Sequence, residues 1–539
     1  MKHLFLLLSF TVILLFSGCH KRRYANPGPS LIYLTFNNEI SNKGILPVEF
    51  HGGKYVSFTQ GISDTCLNLT SDALYRKPII VDKGYANSFS DYEGITVLFW
   101  TKTGRQDPFE YVIAGQKLRL TGDNYRGWHI NKTITGGWQW VLNDGMKILK
   151  YLPPVTQQPI NDDHWHLVGF SIDKRSREAR LYYDGNLKAL YSLEGIGNPF
   201  PGTALYIGSD PMAQDPRIDT YNGMIDELGI WSRALSDDQV AGFYRNTCGK
   251  KLKPMSVFKD SVTVMTWNIR NGGVSQGKYV GVKRIAEIIR QSGADIVALQ
   301  ETRGAGEIIA GELDYYFYSR SSNLSILSRF APVKSYNAFR PLHFGAVQLN
   351  IGKGENILAG PVWLSRQPNL SAYFMKDNAR TDTIEEREME TRGRETNFLL
   401  SEIRPLIQKT EQTPIVIAGD FNSGSHLDWT ERNKDRYNNL VVDFPASQFM
   451  SDAGFLDAYR QVYPNEVTFQ GHTWLPVYKE GLQIRMDFIY FKGEKLVPST
   501  AKVIDTSPFG FPSDHGAVVV SFMIKKESLW TKVKKMGWR

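Results

Sequence analysis

Cysteine is scarce: three thiols, Cys19, Cys66 and Cys248, in 539 residues, with no Cys-x-x-Cys pair and no Cys/His cluster. That excludes a disulfide scaffold and a structural zinc module. Long apolar runs are missing too, the sole candidate being Leu4 to Phe16. Such a stretch is too short to cross roughly 30 Å of hydrocarbon comfortably as a helix. There is no internal repeat and no low-complexity tract. The net charge of +8 suggests a polyanion partner until it is located. Residues 255–523 carry 29 Lys/Arg against 30 Asp/Glu, whereas the tail 524–539 has six basic residues and one acidic. The surplus therefore lies outside the larger half, and charge does not select a substrate. Hydrophobic content of 42% and aromatic content of 12% exclude wholesale disorder, and the length leaves room for two or more domains.

The N-terminus has the layout of an export signal: basic Lys2, the apolar stretch, then the small residues Ser17-Gly18 before Cys19. Phe16-Ser17-Gly18-Cys19 resembles the bacterial lipoprotein signal, in which the Cys is lipidated and becomes the first residue. Phe16 stands where Leu is usual. The resemblance implies a signal peptide 1–18, lipid on Cys19 and a linker 19–30. The mature protein would then be exported and anchored in a bacterial cell envelope by lipid rather than spanning it. Cys66 and Cys248 would remain, and sequence leaves open whether they pair or stay free.

Residues 31–248 read as short β-rich runs separated by turn residues, such as Ile95–Trp100, His166–Phe170 and Ala179–Tyr183. Asp184-Gly185 after the last is a hairpin signal. Regular short strands without a long amphipathic helix predict an antiparallel sandwich. ITVLFWTK (95–102), WHLVGFSID (165–173), LYYDG (181–185), LYIG (205–208) and YNGMIDELGIWSRAL (221–235) resemble the laminin-G-like, concanavalin A-like domains of bacterial surface proteins. That resemblance implies a jelly-roll sandwich and, in some relatives, a glycan or surface ligand. Asp226 and Glu227 could contribute to a Ca²⁺ site, or could form a polar turn closing the last strand.

Residues 249–257 form a basic, Pro-containing hinge, and from 258 to 523 the pattern changes. Buried strands are expected at Val262–Trp267, Ile296–Gln300, Ile415–Gly419, Met486–Phe491 and Gly516–Phe522, with helices at Tyr279–Gln291 and Thr396–Gln408. Such alternation fits a layered α/β protein. Nearly every buried strand ends in a polar residue, where layered folds gather their sites: Asn268, Glu301, Asp420 with Asn422, Asp487, and Asp514-His515. This set is rich in oxygen and free of sulfur, which suits Mg²⁺ or Mn²⁺ rather than zinc.

MTWNIR (265–270), DIVALQET (295–302), LSILSR (324–329), IAGDFNS (417–423), GHTW (471–474), RMDFIY (485–490) and PSDHG (512–516) together resemble the endonuclease/exonuclease/phosphatase superfamily. The resemblance implies a deoxyribonuclease-like, four-layer α/β sandwich that hydrolyses phosphate esters of nucleic acid, phospholipid or sugar phosphate. It implies Glu301, Asn268 and Asp514 around the metal or its water. Asp420 would handle the nucleophilic water or leaving group, and Asn422 the phosphate. His515, oriented by Asp487, would act as base or phosphate contact. A family His is missing: its strand-end position is filled by Trp363 in Gly360-Pro361-Val362-Trp363-Leu364. Trp363, His472 and Arg485 are the expected substrate contacts, with His472 or His343 as spatial replacements for the lost His. The alternative is a surface adhesion or binding protein whose phosphoesterase-like domain is inactive.

Overall fold

The computed structural model describes residues 25–525 except 53–55, 71–77, 83–88, 106, 214–219, 253–259, 278, 475–481 and 509. The signal peptide, Cys19, most of the hinge and the basic tail from 526 onward lie outside the described residues.

Two antiparallel sheets make the N-terminal sandwich. One runs, in spatial order, Ile148–Tyr151, Trp138–Asn143, Tyr125–Lys132, Tyr111–Arg119, Leu205–Ile207, Ile79–Asp82 and Glu49–Gly52. The facing sheet contains Asn186–Ser192, Glu178–Tyr183, His166–Asp173, Gly94–Lys102, Met224–Trp231, Thr65–Asn68 and Ser57–Gln60, with Ile32–Leu34 paired to Met224–Trp231. Alternation sends Trp128, Ile130, Trp140, Val97, Phe99 and Phe170 into the core between them. The Asp184-Gly185 hairpin forms as expected: both residues have positive φ, 47° and 73°, and Tyr183 pairs with Asn186. A twelve-residue helix, Asp237–Cys248, closes the sandwich, and the strand pattern alone does not reveal it. Ser236 and Gln239 cap its start reciprocally. Cys66 and Cys248 are both free.

The C-terminal half is two sheets face to face with helices outside, as the resemblance implies. The first carries Leu496–Ile504, Ala517–Ile524, Ser261–Asn268, Ile296–Gln300, Leu324–Ser328 and Tyr316–Ser319. The second carries Ala331–Tyr336, Ala346–Gly352, Glu355–Trp363, Ile415–Asp420, Asp487–Lys492 and Leu456–Asp457. Val264, Ala298, Ile326, Ala359, Val416, Ile489 and Val520 fill the space between them. Alternate residues of the same strands face outward. Met265, Val297 and Leu299 take the helix Val280–Ser292 through Ile285 and Ile289. Ile415, Ile417, Phe488 and Tyr490 take Leu399, Ile403 and Met450. Burial on both faces explains the continuous apolar strands. The expected helix Thr396–Gln408 is instead two pieces, Arg394–Glu402 and Arg404–Ile407, divided at Ile403 just before Pro405.

The two halves meet edge to edge. Asn186–Ser192 of the sandwich pairs in parallel with Tyr316–Ser319 of the α/β half, Ala189 opposite Phe317 and Tyr191 opposite Ser319. A continuous fourteen-stranded sheet results.

Candidate active site

The strand register does what sequence cannot: it puts the polar ends in one place. Trp363 is the direct neighbour of Asp420, and Asp420 of Asp487, across three strands of one sheet. From the opposing sheet, Asn268 donates its amide to Asp420 Oδ2 at 3.1 Å and to Glu301 Oε1 at 3.2 Å. Asn268 Oδ1 is taken by the Arg270 N–H at 3.0 Å. Asn268 therefore ties the Glu301 and Asp420 carboxylates together across the two sheets.

Glu301 leaves its strand with φ of 57°, and the Asn271 N–H donates to its Oε2 at 3.0 Å. Asn422, also at positive φ (48°), donates from its backbone to Asp420 Oδ1 at 2.8 Å and from its side chain to Asp420 Oδ2 at 3.1 Å. Non-glycine residues in this conformation carry a conformational cost that concentrates at functional sites. Asn422 thus acts first on Asp420, fixing its carboxylate.

His515 Nδ1 lies 2.9 Å from Asp487 Oδ2, and its Nε2 lies 3.9 Å from Asp420 Oδ2. Asp487 is wholly buried and His515 nearly so. Burial alone would push the imidazole down, but Asp487 and then Asp420 outweigh it and raise the group to about 10. Burial raises Asp420 in turn. Ser513 Oγ donates to the Asn268 carbonyl at 2.6 Å and accepts the His515 N–H at 3.1 Å, joining the last strand to the first.

Among the described residues, the one group of three acidic or His side chains close enough to share an ion is Asp420, Asp487 and His515, with ligand atoms within 4.8 Å. Its His–Asp ion pair makes it a poor cation cage. Glu301, Asp420 and Asp514 also line the pocket, with Asn268, and offer it carboxylate oxygens alone. An oxygen-only donor set is the type a hard divalent cation takes. Asp514 stands 3.5 Å from Arg270.

The pocket around these groups has walls that sequence reading missed. Phe374, Trp474 and Met486 line it with Trp363, and Arg366 lies exposed at its edge. Arg392 and Glu388, a buried ion pair, stand behind, with Arg392 donating to the Pro368 carbonyl at 2.9 Å and Ser423 Oγ to Glu388 at 2.8 Å. Arg366, Phe374, Glu388 and Arg392 fall in irregular segments and short helices between the motifs, where no periodicity marks them, whereas Trp474, Met486 and Ser423 lie inside motifs whose neighbouring polar residues drew the assignment.

Two expected substrate contacts are elsewhere. Arg485 is only 2% exposed and is absorbed by Asp428 at 2.9 Å and Asp457 at 2.6 Å, so its charge is spent inside the fold. His472 does not line the pocket either; burial lowers its pKa. The His343 ring packs against Trp363, tilted by 35° at 5.9 Å between centroids, and does not line the pocket. His515 is the one histidine among the described residues lining the pocket. In the sandwich, Asp226 is wholly buried, accepting from the Ile62 and Glu227 N–H groups, both at 2.9 Å, while Glu227 binds the Tyr33 hydroxyl. The Asp226 carboxylate is engaged in holding the loop at Ile62, which favours the turn reading over a Ca²⁺ site.

Residues 265–515 match the endonuclease/exonuclease/phosphatase family, and residues 83–241 match the concanavalin A-like lectin/glucanases superfamily. The chain carries one domain of each. An uncharacterized protein of Caenorhabditis elegans, F14F9.5, is 29% identical over 298 residues, covering 49% of this chain and 91% of that protein. The human Nocturnin catalytic domain with bound sulfate is 18% identical, covering 50% of this chain and 97% of that one, at a TM-score of 0.36. The binding domain of Paraclostridial Mosquitocidal Protein 1 is 16% identical at a TM-score of 0.34, and the match covers 46% of this chain and 59% of that one. The match over residues 265–515 supports a phosphoric ester hydrolase or nuclease.

Proposed function

We propose that the C-terminal half is an Mg²⁺- or Mn²⁺-dependent phosphodiesterase or phosphatase, exported and held at a membrane by lipid on Cys19. The observation that carries the activity is the convergence of Asn268, Glu301, Asp420, Asn422 and His515 on one pocket, with Asp487 bonded to His515 behind it, from five strand ends. A divalent cation held by Glu301 with Asp514 would neutralise phosphate oxygens and so favour attack at phosphorus. Asp487 fixes His515 by the bond at Nδ1, which leaves Nε2 to hold a proton toward the phosphate. Asp420, oriented by Asn268 and Asn422, is placed to direct a water. No basic groove is implied by the near-neutral domain, so phospholipid and sugar phosphate stand beside nucleic acid as substrate classes. The sandwich would bind a glycan or surface partner. Trp363 in place of the family His favours a second reading, an adhesion protein with an inactive domain.

The deciding experiment is hydrolysis of bis-nitrophenyl phosphate by the full chain with Mg²⁺, Mn²⁺ or EDTA. A panel of DNA, RNA, sphingomyelin and inositol phosphates follows. Turnover that needs the metal and disappears in Asp487→Asn supports the enzyme, and no turnover on any substrate supports the second reading. Acyl labelling lost in Cys19→Ser tests the anchor, and labelling retained rejects it.

A further inference from the structure

At the seam between the two halves sits Arg320, its side chain wholly removed from water. Its Nε–H donates to the Phe344 carbonyl at 2.7 Å. Nη1 donates to Ser192 Oγ and Asn337 Oδ1, both at 3.1 Å, and Nη2 to the Phe339 carbonyl at 3.2 Å. The Glu194 carboxylate lies 2.6 Å from Nη1 and is the one acid paired with this guanidinium among the described residues. Ser192 Oγ also reaches Asn337 Oδ1 at 2.8 Å. Gly345 leaves room for the arginine, since a Cβ there would stand 2.3 Å from Arg320 Cδ. Ser192 and Glu194 belong to the sandwich, and every other group belongs to the α/β half. A buried cation whose carboxylate is removed carries an uncompensated charge, so the sandwich sets how firmly Arg320 holds residues 337–345.

That segment reaches the pocket by two routes. The His343 carbonyl accepts the Trp363 N–H at 2.9 Å, and the two rings pack in a tilted contact. The Leu342 carbonyl accepts Asn323 Nδ2 at 3.0 Å, while Asn323 Oδ1 accepts the Glu301 N–H at 3.1 Å. The wall at Trp363 and the turn at Glu301 thus share a support that is anchored across the seam.

We infer that the sandwich is a working part of the hydrolase: through Glu194 and Ser192 it fixes Arg320, a positioning residue, and thereby residues 337–345, Trp363 and Glu301. The catalytic consequence rests on the phosphoesterase reading, whereas the structural coupling does not. Groups that orient such residues typically shift activity or metal affinity by about 10- to 100-fold when removed.

The test uses the full chain with Glu194→Ala, Glu194→Asp, Ser192→Ala and, as a seam control, Lys188→Ala, which removes a 3.2 Å pair to Asp314 away from this node. Glu194→Ala should raise KM for bis-nitrophenyl phosphate and the Mg²⁺ midpoint roughly 10-fold, with Glu194→Asp partly restoring both. Amide exchange at residues 337–345 should quicken in Glu194→Ala and stay unchanged in Lys188→Ala. A lowered Tm with KM, metal midpoint and exchange at 337–345 all unmoved would overturn the inference. Should Glu194→Ala fail to fold, Ser192→Ala decides by the same readouts. If the unmodified chain hydrolyses nothing, the phosphoesterase reading fails, and the exchange measurement still decides the coupling.

Discussion

Asp487→Asn should reduce turnover by about two to four decades while leaving the metal requirement in place. The carboxylate is wholly buried and meets His515 Nδ1 at 2.9 Å. Removing one partner of a buried ion pair costs about 3–5 kcal/mol. At about 1.4 kcal/mol per decade, that loss, if carried fully into the transition state, is a factor of about 10² to 10⁴. His515→Ala should cost a similar amount. The double variant should be little worse than the poorer single one, because the two act as a unit. Glu301→Gln provides the contrast and should raise the Mg²⁺ midpoint, because it removes the carboxylate proposed to hold the cation. The assay is turnover of bis-nitrophenyl phosphate against metal concentration for all four proteins, with thermal melts to confirm folding. Additive losses in the double variant, or a Glu301→Gln protein with an unmoved metal midpoint, would refute the assigned roles.

Arg485→Met should destabilise the chain by about 3–5 kcal/mol, since Asp457 loses its buried partner, yet leave KM of the folded enzyme unchanged; a raised KM at intact stability would return Arg485 to substrate binding. Gly419→Ala should cost about 1–3 kcal/mol or more by overpacking, because its Cβ would meet the Val362 carbonyl oxygen of the adjoining strand at 1.9 Å; an unchanged melting temperature would contradict that. Burial opposes the charge on His166, but Asp184 and Asp162, each 3.0 Å from a ring nitrogen, outweigh it and raise its pKa. The folded state therefore keeps a proton that the unfolded imidazole releases near about pH 6.5. Its stabilisation is complete below that pH and is lost as pH rises through the folded value. Urea midpoints from pH 6 to 9 should fall in the native chain and fall less in His166→Gln; equal slopes would reject the assignment.

The fold and most of the site were legible from the chain because they depend on local pattern. Strands buried on both faces must be continuously apolar, so Ile296–Gln300 and Ile415–Asp420 announce themselves, and the polar residue closing each one stands out. Asp184-Gly185 has the conformational freedom its turn requires. The sandwich pattern missed the helix Asp237–Cys248 because its signal is confined to one capped segment at the domain's end. Arg485 misled because sequence shows that a charge lies beside a motif, not which acids meet it. Asp428 and Asp457, 57 and 28 positions earlier, claim it only after folding. The same limit hid Arg366, Phe374, Arg392 and the Glu194–Arg320 node, since each depends on contacts between distant segments. Residue types and spacing determined which chemistry this protein carries. Only the packing of two sheets, and of one domain's edge against the other's, decided which side chains face the pocket and which are neutralised within the core.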